Sequence, residues 1–119
     1  VTGIEYQLDT NIIIGLLQRH PDTLALIHAR RIITNQCAYS AITRMELLSF
    51  PTLGVEEETT VQVLLARMVY LPVTIEIEDV AIALRRRHRI KLPDAIIAAT
   101  AKVHHLELLT LDKGLLKLL

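Results

Sequence analysis

Residues Ile4–Gln18 read IEYQLDTNIIIGLLQ, and the fold turns on how this stretch divides. Apolar and polar side chains alternate from Ile4 to Leu8 and stop at Asp9, the pattern of a half-buried strand. Thr10 can then cap a helix over Asn11–Gln18. Strand, carboxylate and helix in immediate succession suit a parallel sheet, whose strands need helical crossovers. The rest of the chain repeats the alternation. Helices are expected from Pro21 to Arg31, from Ala41 to Ser49 behind a Ser40 cap, and from Val55 to Met68, with Val61, Leu64, Leu65 and Met68 on one face. Further helices are expected over Glu78–His88, from Asp94 to His104 after Pro93, and over Lys113–Leu119. Strands fit Ile32–Thr34, Tyr70–Ile75 and Leu106–Leu111. The expected fold class is α/β, an α/β/α sandwich with a mostly parallel central sheet, and residues 1–119 are expected to form one domain.

Composition narrows the function classes. One Phe and three Tyr leave an aliphatic core and argue against base stacking on aromatic platforms. With 13 basic and 13 acidic residues the net charge is zero, so any attraction to nucleic acid or membrane must be local. An apolar chain of low net charge favours burial of surface against a partner, and at least a dimer is expected. Cys37 has no second thiol to pair with, lies in an apolar stretch and reads as a buried small side chain. No apolar run approaches membrane-spanning length, and the expected setting is soluble and cytoplasmic.

The chemistry-bearing residues are acidic. In an open parallel sheet, ligands bind in the crevice beyond the carboxyl ends of the strands. Asp9 and Asp112 each follow an expected strand directly, and Asp94 opens a helix where it too can face the strand ends. Glu46 lies among Met45, Leu47, Leu48 and Phe50, which would enclose it if that helix packs on the sheet. Converging carboxylates raise one another's pKa unless a hard cation neutralises them. Oxygen-only ligation suits Mg²⁺ or Mn²⁺ rather than zinc, and hydrolysis of a phosphodiester is the chemistry such an ion supports. Taken singly each acid has a plainer role: Asp9 at a helix entry, Asp94 as a dipole partner, Asp112 as a cap, Glu46 as a solvated helix residue.

Four segments together resemble the PIN-domain family, and in particular the VapC-type toxins of toxin–antitoxin pairs. They are YQLDTNIIIGLL (Tyr6–Leu17), SAITRMELLSFP (Ser40–Pro51), KLPDAIIAATA (Lys91–Ala101) and LLTLDKGL (Leu108–Leu115), in family order and across essentially the whole chain. The resemblance implies a metal-dependent endoribonuclease with Asp9, Glu46 and Asp94 as principal acids and Asp112 as the fourth, using Mg²⁺ or Mn²⁺. It also implies that Thr10 or Asn11, together with Thr110, hold the carboxylates or water, that two chains pair as a homodimer, and that a cognate antitoxin protein inhibits the RNA-cutting site. The chain departs from the family pattern at Gly114, where members often carry another acid, and this bears on whether a second metal binds. It is also expected to lack the strand with which relatives commonly continue after its last residue.

Arg85, Arg86, Arg87, His88, Arg89 and Lys91 form the one dense basic cluster. Arg85 and Arg86, with Arg44, are candidate contacts to RNA phosphates; cations at a helix C-terminus that suit its dipole are the plainer reading of the cluster. His104 and His105 diverge by about 100° on a helix and do not share a ligand. Two other classes compete with the nuclease: a PIN-like binding or assembly module that does not cut, and a phospho-acceptor receiver-like domain. The second needs a mid-chain aspartate, and Ala41–Gly54 contains none.

Overall fold

A computed structural model describes residues 3–119. The strands are β1 (Tyr6–Leu8), β2 (Cys37–Ser40), β3 (Val69–Leu71) and β4 (Glu107–Leu109). The helices are α1 (Thr10–Leu17), α2 (Pro21–Ala29), α3 (Ala41–Leu48), α4 (Val55–Ala66), α5 (Ile75–Arg87), α6 (Leu92–Val103) and α7 (Lys113–Leu116). The strands form one sheet in the order β3-β2-β1-β4, and every pairing is parallel. The α/β class expected from the sequence is what the chain adopts. Among the described residues no helix is long and apolar enough to cross a membrane.

Both faces of the sheet are covered, as a parallel sheet requires. Leu8, Cys37, Tyr39 and Leu109 face a cluster completed by Ile12, Ile13, Leu47, Val61 and Leu65 from α1, α3 and α4. Leu108, the neighbour of Leu109, points the other way and joins Ile77, Ala81, Leu84, Ile97 and Leu115 from α5, α6 and α7. Full burial of a side chain such as Ile12 or Ile13 stabilises the fold by about 1.5–3 kcal/mol. Gln7 is the exception on the central strand: it is fully buried, and its Nε2 donates to the carbonyl of Ile97 at 3.0 Å, tying β1 to α6. Helices α1 and α2 approach closely at Gly15, where a Cβ would lie 2.1 Å from the Thr23 hydroxyl oxygen.

Three local readings change. The strand expected at Ile32–Thr34 lies instead at Cys37–Ser40, after a 3-10 turn over Thr34–Gln36 in which the Gln36 amide oxygen accepts from the Ile33 N–H at 3.3 Å. The cap of α1 is Asp9, not Thr10: its carboxylate accepts from the Thr10 N–H at 2.8 Å. Glu46 is not enclosed by its apolar neighbours. It lies on the solvent side of α3 with Met45, while Leu47 turns inward. Elsewhere the differences are a few residues at element ends, as with α5, which begins at Ile75 because the Thr74 hydroxyl caps it.

Candidate active site

The sheet order changes direction at β1: β2 and β3 lie on one side of it and β4 on the other. A crevice therefore opens past the carboxyl ends of β1 and β4. Asp9 leaves β1 at that point and is only 5% exposed. Its backbone N–H still donates to Leu109 of β4, at 2.9 Å, so the sheet itself fixes its Cα.

Five bonds hold its side chain or its partners. Oδ1 accepts from the Thr10 N–H, and Oδ2 accepts from the Thr110 hydroxyl at 2.6 Å and from Asn11 Nδ2 at 3.3 Å. The Thr110 oxygen in turn accepts from the Asp112 N–H at 3.0 Å, and the Asn11 amide oxygen accepts from the Leu111 N–H at 3.2 Å. Thr10, Asn11 and Thr110, which the sequence marked as supports, are thus the groups that orient Asp9 and join the start of α1 to the segment after β4. The charge on Asp9 is nevertheless disfavoured. Burial pushes its carboxyl above the usual range, and the negative charges of Glu46 and Asp112 add to this, against the hydrogen bonds from Thr110 and Thr10.

Asp94 stands in the first turn of α6, partly buried. Burial raises its carboxyl, the charges of Asp112 and Asp9 raise it further, and Lys91 works in the opposite direction. Asp112 caps α7, with Oδ1 accepting from the Gly114 N–H at 2.8 Å and the Leu115 N–H at 3.3 Å. Its plain capping role and its place beside the other acids hold together. Glu46 reaches the same crevice from α3, where its Oε1 accepts from the Thr10 hydroxyl at 2.6 Å.

One residue the sequence reading overlooked is Thr43. It is fully buried, its Oγ1 lies 3.0 Å from that of Thr10, and its N–H bonds the capping Ser40 hydroxyl. Since the Thr10 proton goes to Glu46, the Thr43 hydroxyl is left to donate to Thr10. The signal was present, because Thr43 precedes Glu46 by one helical turn and so shares its side of α3.

Arg85 and Arg86 stand at the end of α5, where with Arg89 and Lys91 they line a basic hollow, and neither is among the charges that act on Asp9 or Asp94. Lys91 alone links that hollow to Asp94. Arg44 is exposed and near enough to Tyr39 for its charge to act on that hydroxyl, against the larger effect of burial.

The donor set is suited to a hard divalent cation. It consists of carboxylate oxygens, one carboxylate being buried at a fixed backbone position, and Asp9 and Asp94 are raised by burial and by the acids near them, as in a group short of positive charge. As the side chains stand, no three of the described His, Cys, Asp or Glu residues are grouped closely enough to hold an ion. Ligation would call for rotation of side chains, for which exposed Glu46 and Asp112 have room that buried Asp9 lacks, at the cost of their bonds to Thr10 and to the Gly114 and Leu115 N–H groups.

Comparison with known proteins places the fold and the site in context. The family model described as PIN domain matches residues 6–118. A chain of a toxin–antitoxin complex from Klebsiella pneumoniae is 32% identical, with 91% of this chain and 87% of that one covered and a TM-score of 0.78. The FitAcB structure from Neisseria gonorrhoeae is 25% identical over 95% of this chain and 91% of that one, with a TM-score of 0.70. VapBC2 from Rickettsia felis, bound to a DNA fragment from its promoter, shares the fold at 20% identity, covering 97% and 93%, with a TM-score of 0.77. No curated protein matches the chain.

Proposed function

The chain belongs to the PIN-domain family, and from that premise we propose that it is a metal-dependent endoribonuclease, the toxin of a toxin–antitoxin pair. The observation that carries this reading is the desolvated Asp9, fixed at the sheet's switch point among three further acids. Asp9, Asp94, Glu46 and Asp112 would hold Mg²⁺ or Mn²⁺. When bound, such an ion supplies an activated water and neutralises charge on a phosphodiester.

The chain's own groups have separate tasks. Asp9 gives a fixed point, because Thr110 and the Thr10 N–H hold both of its oxygens. The charge of Asp112 acts on both Asp9 and Asp94, and Asp94 and Asp112 would supply further negative charge to a divalent ion. Glu46, on its Thr10–Thr43 hydroxyl chain, is the exposed acid of the set and, when not itself on the ion, would take a proton from water and pass it to solvent. Lys91, whose charge acts on Asp94, and Arg44, two residues before Glu46, would meet RNA phosphates beside the cut.

The toxin assignment draws on the 32% identity to a chain of a toxin–antitoxin complex. An inhibiting antitoxin fits the apolar groove of about 370 Å³ bordered by Ile14, Leu17, Phe50, Leu53 and Val61, in which Phe50 is half exposed. A homodimer working in the cytoplasm completes the reading. One observation favours the alternative of a non-catalytic PIN-like module: the acids are not grouped for ligation as they stand.

Purified protein incubated with total cellular RNA, with Mg²⁺, with Mn²⁺ and with a chelator, separates the two. Cleavage that requires the ion and is lost in Asp94→Asn is the expected result. An ion bound without cleavage, in the absence of any co-purifying inhibitor, would establish the binding module.

A further inference from the structure

Gln7 stands in the middle of β1 with no exposed surface, and an amide is a costly way to fill that place. Its Nε2 donates to the Ile97 carbonyl at 3.0 Å, yet that carbonyl lies inside α6, where the N–H of Ala101, four residues on, is its regular partner. Its Oε1 is buried without a partner among the described residues. An unpaired buried acceptor lowers stability, and an apolar side chain of similar volume would spare the fold that loss.

What the bond supplies is position. Four of the six buried residues of α6 are alanine, so little beyond Ile97 keys the helix at one height along the sheet. A directional bond to a single carbonyl fixes that height. Gln7 and Asp9 are two residues apart on an extended segment, which Asp9 continues through the bond of its N–H to Leu109. Their side chains therefore leave it on one side, about 7 Å apart along the chain. On α6, Asp94 and Ile97 are three residues apart, about 4.5 Å along the axis. Gln7 bonds Ile97, and the charge of Asp9 acts on Asp94. Strand and helix thus run side by side in opposite directions with two rungs between them: the amide tie and, about one helical turn beyond it, the two acids.

We infer that Gln7 is a positioning residue for the acidic site: its bond to the Ile97 carbonyl sets the separation of Asp94 from Asp9, and with it the affinity of the site for a divalent cation. The second half of the inference rests on the metal-dependent reading given above. The first half, the tie itself, stands or falls without an ion.

Mn²⁺ binding and urea denaturation of four chains test it: the unaltered protein, Gln7→Leu, Asp94→Asn and the double variant. Gln7→Leu should keep or raise the urea midpoint, since it removes the unpaired oxygen. It should also weaken Mn²⁺ binding about 10-fold, as the loss of a group that orients a metal ligand does. In the Asp94→Asn background the same change should cost no further affinity, because the effect of Gln7 passes through Asp94. An amide that served only the fold would lower the midpoint and leave Mn²⁺ affinity alone, and that result would overturn the inference. So would an equal loss of affinity in both backgrounds. Should Gln7→Leu fail to fold, Gln7→Met, unbranched and flexible, takes its place with the same expectations. No Mn²⁺ binding by the unaltered chain would count against the metal reading and not against the tie. In that case, or if Asp94→Asn binds too weakly to compare, crystal structures of the unaltered chain and Gln7→Leu decide: α6 displaced along β1 supports the tie, and Asp94 unmoved relative to Asp9 overturns it.

Discussion

The two ends of the same strands treat acidic residues in opposite ways. At the amino end, Glu107 opens β4 and is gripped by Arg30 from the end of α2, with Nη2 at 2.7 Å from Oε1 and the guanidinium carbon 5.5 Å from the centre of the Tyr6 ring. Its carboxyl is held below the usual range by that hydrogen bond. At the carboxyl end, Asp9 and Asp94 are pushed above it, by burial first and by neighbouring acids second. One end gathers a charge and its counter-charge, while the other gathers like charges and leaves them short of a cation. The amino end is arranged for stability. The carboxyl end is held together despite its own repulsion, which is how a site poised for a ligand differs from a structural ion pair.

The contrast can be broken first at Thr110. Thr110→Val keeps the shape of the side chain but removes the hydroxyl that donates to Asp9. Cleavage should fall by about 10–100-fold. The acid limb of the pH–rate profile should move to higher pH, because a bond that lowers the Asp9 carboxyl is gone. An unmoved acid limb would separate Thr110 from the chemistry.

Removing repulsion should next make the molecule more stable. A carboxyl whose folded pKa is raised contributes stability below its unfolded value, near 3.8, that is lost as the pH rises through the folded value. Asp94→Asn should therefore gain on the order of 1 kcal/mol at neutral pH, even as activity is lost, and gain nothing below pH 3.8. Urea denaturation at both pH values tests this, and a destabilised variant at neutral pH would contradict it.

The smallest effect belongs to the amino end. Glu107→Gln should cost about 0.2–1 kcal/mol at neutral pH and leave cleavage untouched, since the pair is substantially exposed and screened. The sign is reversed relative to Asp94. A depressed carboxyl contributes above its unfolded value, near 4.5, and that contribution is lost as the pH falls through the folded value, so the difference between Glu107→Gln and the unaltered chain should fade in acid.

What could be read from the sequence follows the same physics. Helices α4 and α6 were legible because a one-sided apolar stripe and a Pro in the first turn are local signals. Strand β2 was not. All four residues of Cys37–Ser40 are buried, so no alternation marks them, whereas the β-branched Ile32–Thr34 imitates a strand before the turn at Gln36 takes over. The places of Asp9 and Asp112 beyond the ends of β1 and β4 could be read from the strand patterns before them. The solvent exposure of Glu46 and the part played by Thr43 were hidden, since both depend on which side of α3 meets Thr10 from α1.

The bond between Thr110 and Asp9 joins residues 101 positions apart. A ribosome adding about 5–20 residues per second therefore makes Asp9 roughly 5–20 s before Thr110 exists to orient it. Through that interval the nascent chain carries the first acid of its site without β4, without Asp112 and, for most of the time, without Asp94. If the chain cuts RNA as proposed, the order of synthesis is itself a delay on that activity, and an inhibiting partner would have that long to be made and to arrive.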